Sequence, residues 1–189
     1  MKRCDWVTED LIYIKYHDEE WGQFNQFTND HYLFEMLTLE GAQAGLSWLT
    51  ILKRRHHYQK AFDYFDPREV AKYDELKIKE LLSNERIIRN RRKVESTIKN
   101  AQAFLAIQEK YGSFHAYLRF IIDQELPIVN EWSSHEAVPA QTDLSKQLSK
   151  ALKKEGFSFV GPVICYAFMQ AVGIVNDHTK DCDLYKGGK

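Results

Sequence analysis

The stretch Leu39-Glu40-Gly41-Ala42-Gln43-Ala44-Gly45-Leu46-Ser47-Trp48 follows an apolar run at helical spacing, so it should continue or close a buried helix. A core helix normally excludes an unpaired carboxylate and disfavours glycine, which costs about 1 kcal/mol against alanine. In a continuous helix, Glu40, Ala44 and Trp48 fall on one face. A carboxylate, a small residue and a large aromatic ring on one face are typical of a pocket.

The same stretch can also be interpreted as a helix that only packs in the core and forms no pocket. Gly41 and Gly45 are one helical turn apart, so they could permit close helix packing, and Glu40 could reach a surface lysine. Spacing alone leaves the pocket and the packing interpretation open.

The composition indicates a single globular domain over residues 1–189. The chain is 44% hydrophobic and 28% charged, and 189 residues are enough to bury a core. No apolar run reaches membrane-spanning length, which predicts no membrane partner. Three cysteines do not make a disulfide framework, so a reducing cytoplasm is expected. The formal net charge is −1, and a nucleic-acid partner therefore requires a local positive surface.

The fold class is predicted to be all-α, because i, i+3, i+4 apolar spacing recurs and alternating β-branched runs are few. Residues 84–110 give the longest helical pattern. Its start carries five cations within eight residues, which predict either a solvated face or a phosphate contact. Each proline is expected to precede a helix, as first-turn prolines do. The cations are Arg86, Arg89, Arg91, Arg92 and Lys93, and the prolines are Pro67, Pro127, Pro139 and Pro162.

Residues 143–174 predict helix, glycine-bounded hairpin, helix. Thr142 or Asp143 caps the first helix, and the second begins after Gly161-Pro162. The positive N-terminal end of the second helix, together with Lys153 and Lys154, would form a phosphate site. Plain helical hairpins share this pattern.

The two chain ends, residues 1–22 and 175–189, carry potential metal ligands and many aromatic rings. Cys4, His17, His178 and Cys182 would complete a closed tetrahedral zinc shell, which implies a structural site, although histidines are often ordinary surface residues. The aromatic rings of residues 1–22 could pack together or form a base-stacking pocket.

Five motifs together resemble the 3-methyladenine DNA glycosylase I family, and they cover nearly the whole chain. They are Arg3-Cys4-x-Trp6, Tyr13-x-x-Tyr16-His17-Asp18-x-Glu20-Trp21-Gly22, Leu39-Glu40-Gly41-x-Gln43-Ala44-Gly45-Leu46-Ser47-Trp48, Phe157-x-Phe159-Val160-Gly161 and Val175-Asn176-Asp177-His178. The resemblance implies a helix-hairpin-helix glycosylase fold and a structural zinc on Cys4, His17, His178 and Cys182. It also implies removal of 3-methyladenine from double-stranded DNA. A monomer with no obligate protein partner is expected, as is natural for a DNA-scanning enzyme of this size.

The resemblance also implies roles for individual residues. Glu40 is expected to be the catalytic carboxylate. The base pocket is expected to comprise Tyr16, Trp48, Tyr13, Trp6 and Trp21. The expected DNA contacts are Gly45 and Leu46, which fill the gap left by the extruded nucleotide, and Phe159, Val160 and Gly161 at the hairpin. Asp177 is given no role in activating water, because it adjoins the expected ligand His178.

Two other functions fit parts of the sequence. A binding module that senses alkylated DNA would keep the hairpin and the basic residues, but it would not need the carboxylate of Glu40 beside Trp48. A zinc-dependent hydrolase would need an open metal position, which a fourth protein ligand at Cys182 argues against.

Overall fold

The computed structural model describes residues 1–187, so Gly188 and Lys189 of the predicted C-terminal segment lie outside the described residues. The chain is mostly helical. The helices are α1 (Leu11–Glu19), α2 (Asp30–Gln43), α3 (Trp48–Ala61), α4 (Pro67–Val70), α5 (Glu75–Ser83), α6 (Arg91–Tyr111), α7 (Phe114–Ile121), α8 (Asp143–Lys154) and α9 (Pro162–Ala171). Short 3₁₀ turns occupy Phe24–Gln26, Asp63–Phe65 and His135–Ala137. Within residues 1–187, no helix combines the length and the apolarity needed to cross a membrane.

Helix α2 is the centre of the core. It contacts α3, α6, α7 and α9, and from Tyr32 to Ala42 every residue except the half-buried Glu35 is buried. A helix surrounded in this way is mostly apolar, and the polar exceptions between Tyr32 and Ala42 are Glu35, Thr38 and Glu40. The Asn29 side chain caps its first turn by accepting a hydrogen bond from the Tyr32 amide at 3.3 Å.

The helix does not continue to Trp48, as one interpretation of the sequence supposed. It ends at Gln43, Gly45 turns the chain with φ +80°, and the Ser47 side chain caps α3 by accepting from the Thr50 amide at 3.2 Å. Only glycine adopts such a φ at low cost. Glu40 and Trp48 are therefore presented by two different helices.

The predicted helix-hairpin-helix is present as α8 and α9. Thr142 and Ser145 form a reciprocal capping box at the start of α8, and Pro162 occupies the first turn of α9. The hairpin between the helices is held by Asn100 of α6. Its side chain accepts from the Ser158 amide at 2.8 Å and donates to the Ser158 carbonyl at 2.9 Å.

The all-α prediction omitted one small feature, and three other expectations from the sequence differ from the structure. Ile128–Val129 (β1) pairs in parallel with Val175–Asn176 (β2), joining the segment before α8 to the one after α9. Pro127 precedes this strand rather than a helix, and Pro139 lies in the irregular segment that precedes α8. The longest helix begins at Arg91, because Asn90 caps it and residues 84–90 form turns.

Candidate active site

A cavity of about 310 Å³ opens between α1, the end of α2, the start of α3 and α9. Its volume is in the range of small-molecule sites. It is lined by Trp6, Tyr13, Tyr16, Trp21, Glu40, Gln43, Trp48, His135, Ala167 and Gln170. The structure thus brings the sequence-predicted carboxylate and all five predicted aromatic residues to one cavity.

Glu40 lies in the last turn of α2 and is 4% exposed. Among residues 1–187, no hydrogen bond or ion pair to its carboxyl group is found, which excludes the predicted alternative of a surface lysine partner within this part of the chain. Burial alone raises the pKa of Glu40 to about 8. An unpaired buried carboxyl group facing a cavity favours a cation or a hydrogen-bond donor as ligand.

The aromatic side chains of the cavity are not stacked on one another: Trp6 packs edge to face against Tyr13 and Trp21, and Tyr16 is tilted against Trp48. Trp6 lies 5.0 Å from Tyr13 and 5.0 Å from Trp21 between ring centroids, and Tyr16 lies 5.5 Å from Trp48. This arrangement leaves ring faces available to a flat ligand. The Trp48 indole nitrogen is buried, and within residues 1–187 it has no hydrogen-bond acceptor. The cavity therefore combines π faces with one unpaired carboxyl group.

The turn that follows α2 lies beside the cavity. Leu46 is exposed at its tip, and the Gln43 side chain, which also lines the cavity, donates to the Leu46 carbonyl at 2.7 Å. Glu40 and Leu46 are thus fixed to the same helix end.

A buried group of four side chains that could bind a metal ion lies behind the aromatic residues of the cavity. The ligand atoms of Cys4, His17, His178 and Cys182 all lie within 4.8 Å of one another. The Cys182 sulfur is 3.5 Å from both His17 Nε2 and His178 Nδ1, and the Cys4 sulfur is 3.6 Å from His178 Nδ1. Ligands 2.0–2.3 Å from a tetrahedral zinc ion are separated by roughly 3.6 Å, so this group could hold a metal ion.

The outer contacts of the two imidazoles suit metal binding. His17 Nδ1 lies 2.8 Å from the Asp18 carboxylate, which Arg3 also binds, and His178 Nε2 lies 3.2 Å from the Trp21 carbonyl. Because each outer nitrogen faces an acceptor, it carries the proton, and the opposite nitrogen presents its lone pair to the two thiols. Burial also lowers the pKa of both imidazoles, which keeps them neutral.

The predicted DNA-contacting residues differ in how exposed they are. Lys153 and Lys154 are exposed at the end of α8, and Gly161 precedes the first turn of α9. Val160 is 1% exposed, so only its backbone could meet a ligand. Phe159 is half-buried and packs near Gly41, which brings the hairpin close to the end of α2.

Four cavity residues have no counterpart among the site residues predicted from sequence: Gln43, His135, Ala167 and Gln170. Ala167 and Gln170 lie on α9, where the apolar spacing predicted only a core face. Asp177 is buried and accepts hydrogen bonds from four side chains, one of which belongs to Gln170. Such a network is not visible in the sequence, because its members are brought together only by the fold.

Solved structures of helical DNA glycosylases share this fold along the whole chain. One crystal structure of 3-methyladenine DNA glycosylase I superposes with a TM-score of 0.93 at 46% identity and covers 97% of this chain and 100% of its own. A tyrosine-to-phenylalanine variant of such an enzyme, in complex with 3-methyladenine, superposes with a TM-score of 0.93 at 36% identity over 100% of both chains.

The sequence comparisons agree. Residues 6–186 match the sequence model of the methyladenine glycosylase family, and the chain belongs to that family. DNA-3-methyladenine glycosylase of Haemophilus influenzae is 48% identical over 95% of this chain and 96% of its own length. DNA-3-methyladenine glycosylase 1 of Escherichia coli is 45% identical over 100% of both chains.

Proposed function

We propose that this protein is a monofunctional DNA glycosylase that hydrolyses the N-glycosidic bond of 3-methyladenine in alkylated double-stranded DNA. The observation that carries the proposal is the buried, unpaired carboxyl group of Glu40 in a cavity walled by aromatic rings. Full-length identity of 45–48% to the two bacterial DNA-3-methyladenine glycosylases supports it. The protein is expected to act on DNA as a cytoplasmic monomer.

The chemistry of the lesion fits this cavity. A base must leave the duplex stack before it can be read, which costs a few kcal/mol. Methylation at N3 leaves adenine positively charged and weakens its bond to the sugar. A cationic base gains about 0.5–2 kcal/mol from an aromatic face such as that of Trp48. Neutral adenine gains nothing comparable, so the aromatic faces discriminate between damaged and normal bases.

Glu40 is proposed as the catalytic carboxylate. The positive charge of the bound base would favour the ionised form of Glu40, which would then accept a hydrogen bond from the exocyclic amine and stabilise the cationic base electrostatically. Tyr16 would add a polar contact, and Tyr13, Trp6 and Trp21 would complete the pocket. Water is the proposed nucleophile, because among residues 1–187 no lysine lines the cavity that could form a Schiff base.

The DNA contacts are proposed from the two elements beside the cavity. Leu46, carried by the Gly45 turn, would fill the gap left by the extruded nucleotide. Phosphate would meet the first-turn amides of α9 at the hairpin Phe159-Val160-Gly161, supported by Lys153 and Lys154.

A structural zinc ion is proposed for Cys4, His17, His178 and Cys182. The donor set and the imidazole orientations described above fit it. When bound, the ion would supply a link between the two ends of the chain. The Trp6 ring lies 5.4 Å from the His17 ring, and the Trp21 ring lies 4.7 Å from the His178 ring, between centroids. The bound ion would therefore also fix the positions of these two tryptophans in the cavity.

The proposal is tested by incubating the purified protein with methylated duplex DNA and identifying the released bases by chromatography. Free 3-methyladenine is expected, with 7-methylguanine left in the DNA. Glu40→Gln should lose most of the rate while remaining folded. Glu109→Gln, a matched change at an exposed position of α6, should not.

Two results would contradict the proposal. DNA binding without base release would make the protein a sensor of alkylated DNA, and full activity of Glu40→Gln would remove this carboxylate from the mechanism. Brief chelation distinguishes the proposed glycosylase from a zinc-dependent hydrolase. Turnover by the glycosylase should be unchanged, because a four-ligand zinc site has no open position for catalysis.

A further inference from the structure

Asp177, immediately after β2, is 1% exposed and its carboxylate is fully engaged by side chains. Oδ1 accepts from Asn130 at 2.6 Å and from Trp132 at 2.8 Å. Oδ2 accepts from Tyr166 at 2.6 Å and from Gln170 at 2.7 Å. A carboxylate offers about four lone-pair sites, so four donors leave none for a water molecule. Asp177 is therefore unsuited to act as a general base.

The contact with Gln170 fixes the orientation of a side chain that lines the cavity. A carboxylate only accepts hydrogen bonds, so the amide group of Gln170 must direct its nitrogen to Asp177. Its carbonyl oxygen Oε1 then lies on the other side of the amide. Among residues 1–187, no donor to this oxygen is found, which leaves it available to a ligand in the cavity.

We propose that Asp177 is a positioning residue that holds the Gln170 carbonyl oxygen as a second acceptor in the base cavity, and that this acceptor selects 6-amino purines over 6-oxo purines. The inference rests on the proposed function. An N3-methylated adenine presents a 6-amino donor, whereas an N3-methylated guanine presents a 6-oxo acceptor at the same ring position. Two facing acceptors leave buried polar groups unpaired, and enzymes discriminate strongly on that basis.

Asp177 also joins the segment after β1 to α9, so a purely structural role must be separated from a role in selectivity. The carboxylate itself offers the control. Asn130 donates to the opposite oxygen, Oδ1, and does not line the cavity. Asn130→Ala therefore disturbs the same network without releasing Gln170.

The experiment compares kcat/KM for release of 3-methyladenine and of 3-methylguanine from methylated DNA by the wild type and three variants. In Asp177→Asn an amide nitrogen can replace Oδ2, which lets Gln170 turn over and present its amino group to the cavity. In Gln170→Met the acceptor is lost at similar size. The preference for 3-methyladenine should fall by about fivefold or more in both variants and stay at the wild-type ratio in Asn130→Ala.

An unchanged ratio in Gln170→Met would overturn the proposal, as would an equal fall in Asn130→Ala. If Asp177→Asn does not fold, Gln170→Met carries the test, because it leaves the carboxylate and the neighbouring His178 intact. Binding of free 3-methyladenine and free 3-methylguanine, measured by tryptophan fluorescence, tests the role of Gln170 independently of the proposed glycosylase activity. A wild type that excises nothing contradicts the proposed function, whereas loss of base preference in Gln170→Met still supports the role of this acceptor, and its retention refutes it.

Discussion

The ammonium group of Lys93, in the first turn of α6, donates a hydrogen bond of 2.7 Å to the backbone carbonyl oxygen of Ala44, just after α2 ends. A second bond of 2.8 Å reaches the carbonyl oxygen of Ala42. The last carbonyl groups of a helix lack partners within the helix, and a cation there is stabilising. Lys93 therefore stabilises the turn that carries Leu46.

Lys93→Met should destabilise the fold and loosen this turn. Methionine keeps the apolar stem but leaves both carbonyl groups without a donor, which should lower the free energy of unfolding by about 1–3 kcal/mol. Urea unfolding measures the loss. Lys99→Met, a change at an exposed position of the same helix, is the control and should have almost no effect on stability. Equal unfolding midpoints for the two variants would contradict the assigned role.

Glu40 should make stability depend on pH. Its carboxyl group has a pKa of about 8 in the folded chain against 4.5 when unfolded, because burial penalises the charge. Below pH 4.5 both states are protonated. Between 4.5 and about 8 the folded state holds a proton that the unfolded state has lost, so the free energy of unfolding falls as the pH rises.

This dependence is isolated by comparing the wild type with Glu40→Gln, which cannot titrate at this position. From pH 5.5 to pH 8.5 the variant should gain about 3 kcal/mol relative to the wild type, since each pKa unit corresponds to about 1.4 kcal/mol. Other titrating groups cancel in the difference. Stability curves that run parallel from pH 5.5 to 8.5 would refute the raised pKa.

The elements that could be predicted from sequence are those with local signals. Thr142 and Pro162 mark the starts of α8 and α9, and the structure confirms both. The apolar spacing before Glu40 extended the predicted helix too far, because Gly45 and Ser47 end α2 and begin α3 although the neighbouring residues remain apolar. A turn residue and a capping residue outweigh periodicity there.

What could not be predicted depends on contacts between distant segments. Two-residue strands such as β1 and β2 have no periodicity to detect. Gln170 looks like an ordinary helix residue until Asp177 fixes its amide. Gly173 is required for a reason that only the fold reveals: its φ is +73°, and a Cβ there would lie 2.5 Å from the backbone of Gln23.

The cluster of four potential metal ligands could be predicted only in part from local sequence signals. His178 and Cys182 are close in sequence, but Cys4 and His17 are more than 150 residues away from them, so spacing alone left a surface role open for the histidines. The resemblance supplied the four-ligand set, and the structure brings the four side chains together in a buried cluster.

Cys182→Ser should remove zinc and lower thermal stability, because a serine hydroxyl is a poor zinc ligand and the binding free energy of a structural zinc contributes to folding. The melting temperature should fall by at least about 5 °C, since 1 kcal/mol corresponds to roughly 2–4 °C in a chain of this size. Metal analysis and a thermal scan measure both effects.

Cys165→Ser is the matched control for that experiment. Cys165 is also fully buried, but it lies on α9 outside the cluster, so its loss should destabilise the protein while zinc content stays at one ion per chain. Zinc retained at the wild-type level in Cys182→Ser would exclude the four-ligand assignment.

Leu46→Ala should separate DNA engagement from base recognition. The side chain is 36% exposed at the tip of its turn and is absent from the cavity lining, so its truncation should leave the melting temperature and the affinity for free 3-methyladenine unchanged. In duplex DNA, a shorter side chain would no longer fill the gap left by the flipped nucleotide. Because unstacking costs a few kcal/mol, kcat/KM on methylated duplex should fall about tenfold or more.

The substrate and a second leucine provide the controls for this prediction. Methylated single-stranded DNA has no opposing stack to fill, so the difference between Leu46→Ala and the wild type should shrink on it. Leu76→Ala, at a 74% exposed position of α5, tests whether any exposed leucine matters and should keep wild-type activity on both substrates. An equal loss on single and double strands would place the effect in the base cavity, and the Leu46 side chain would then not be a contact with DNA.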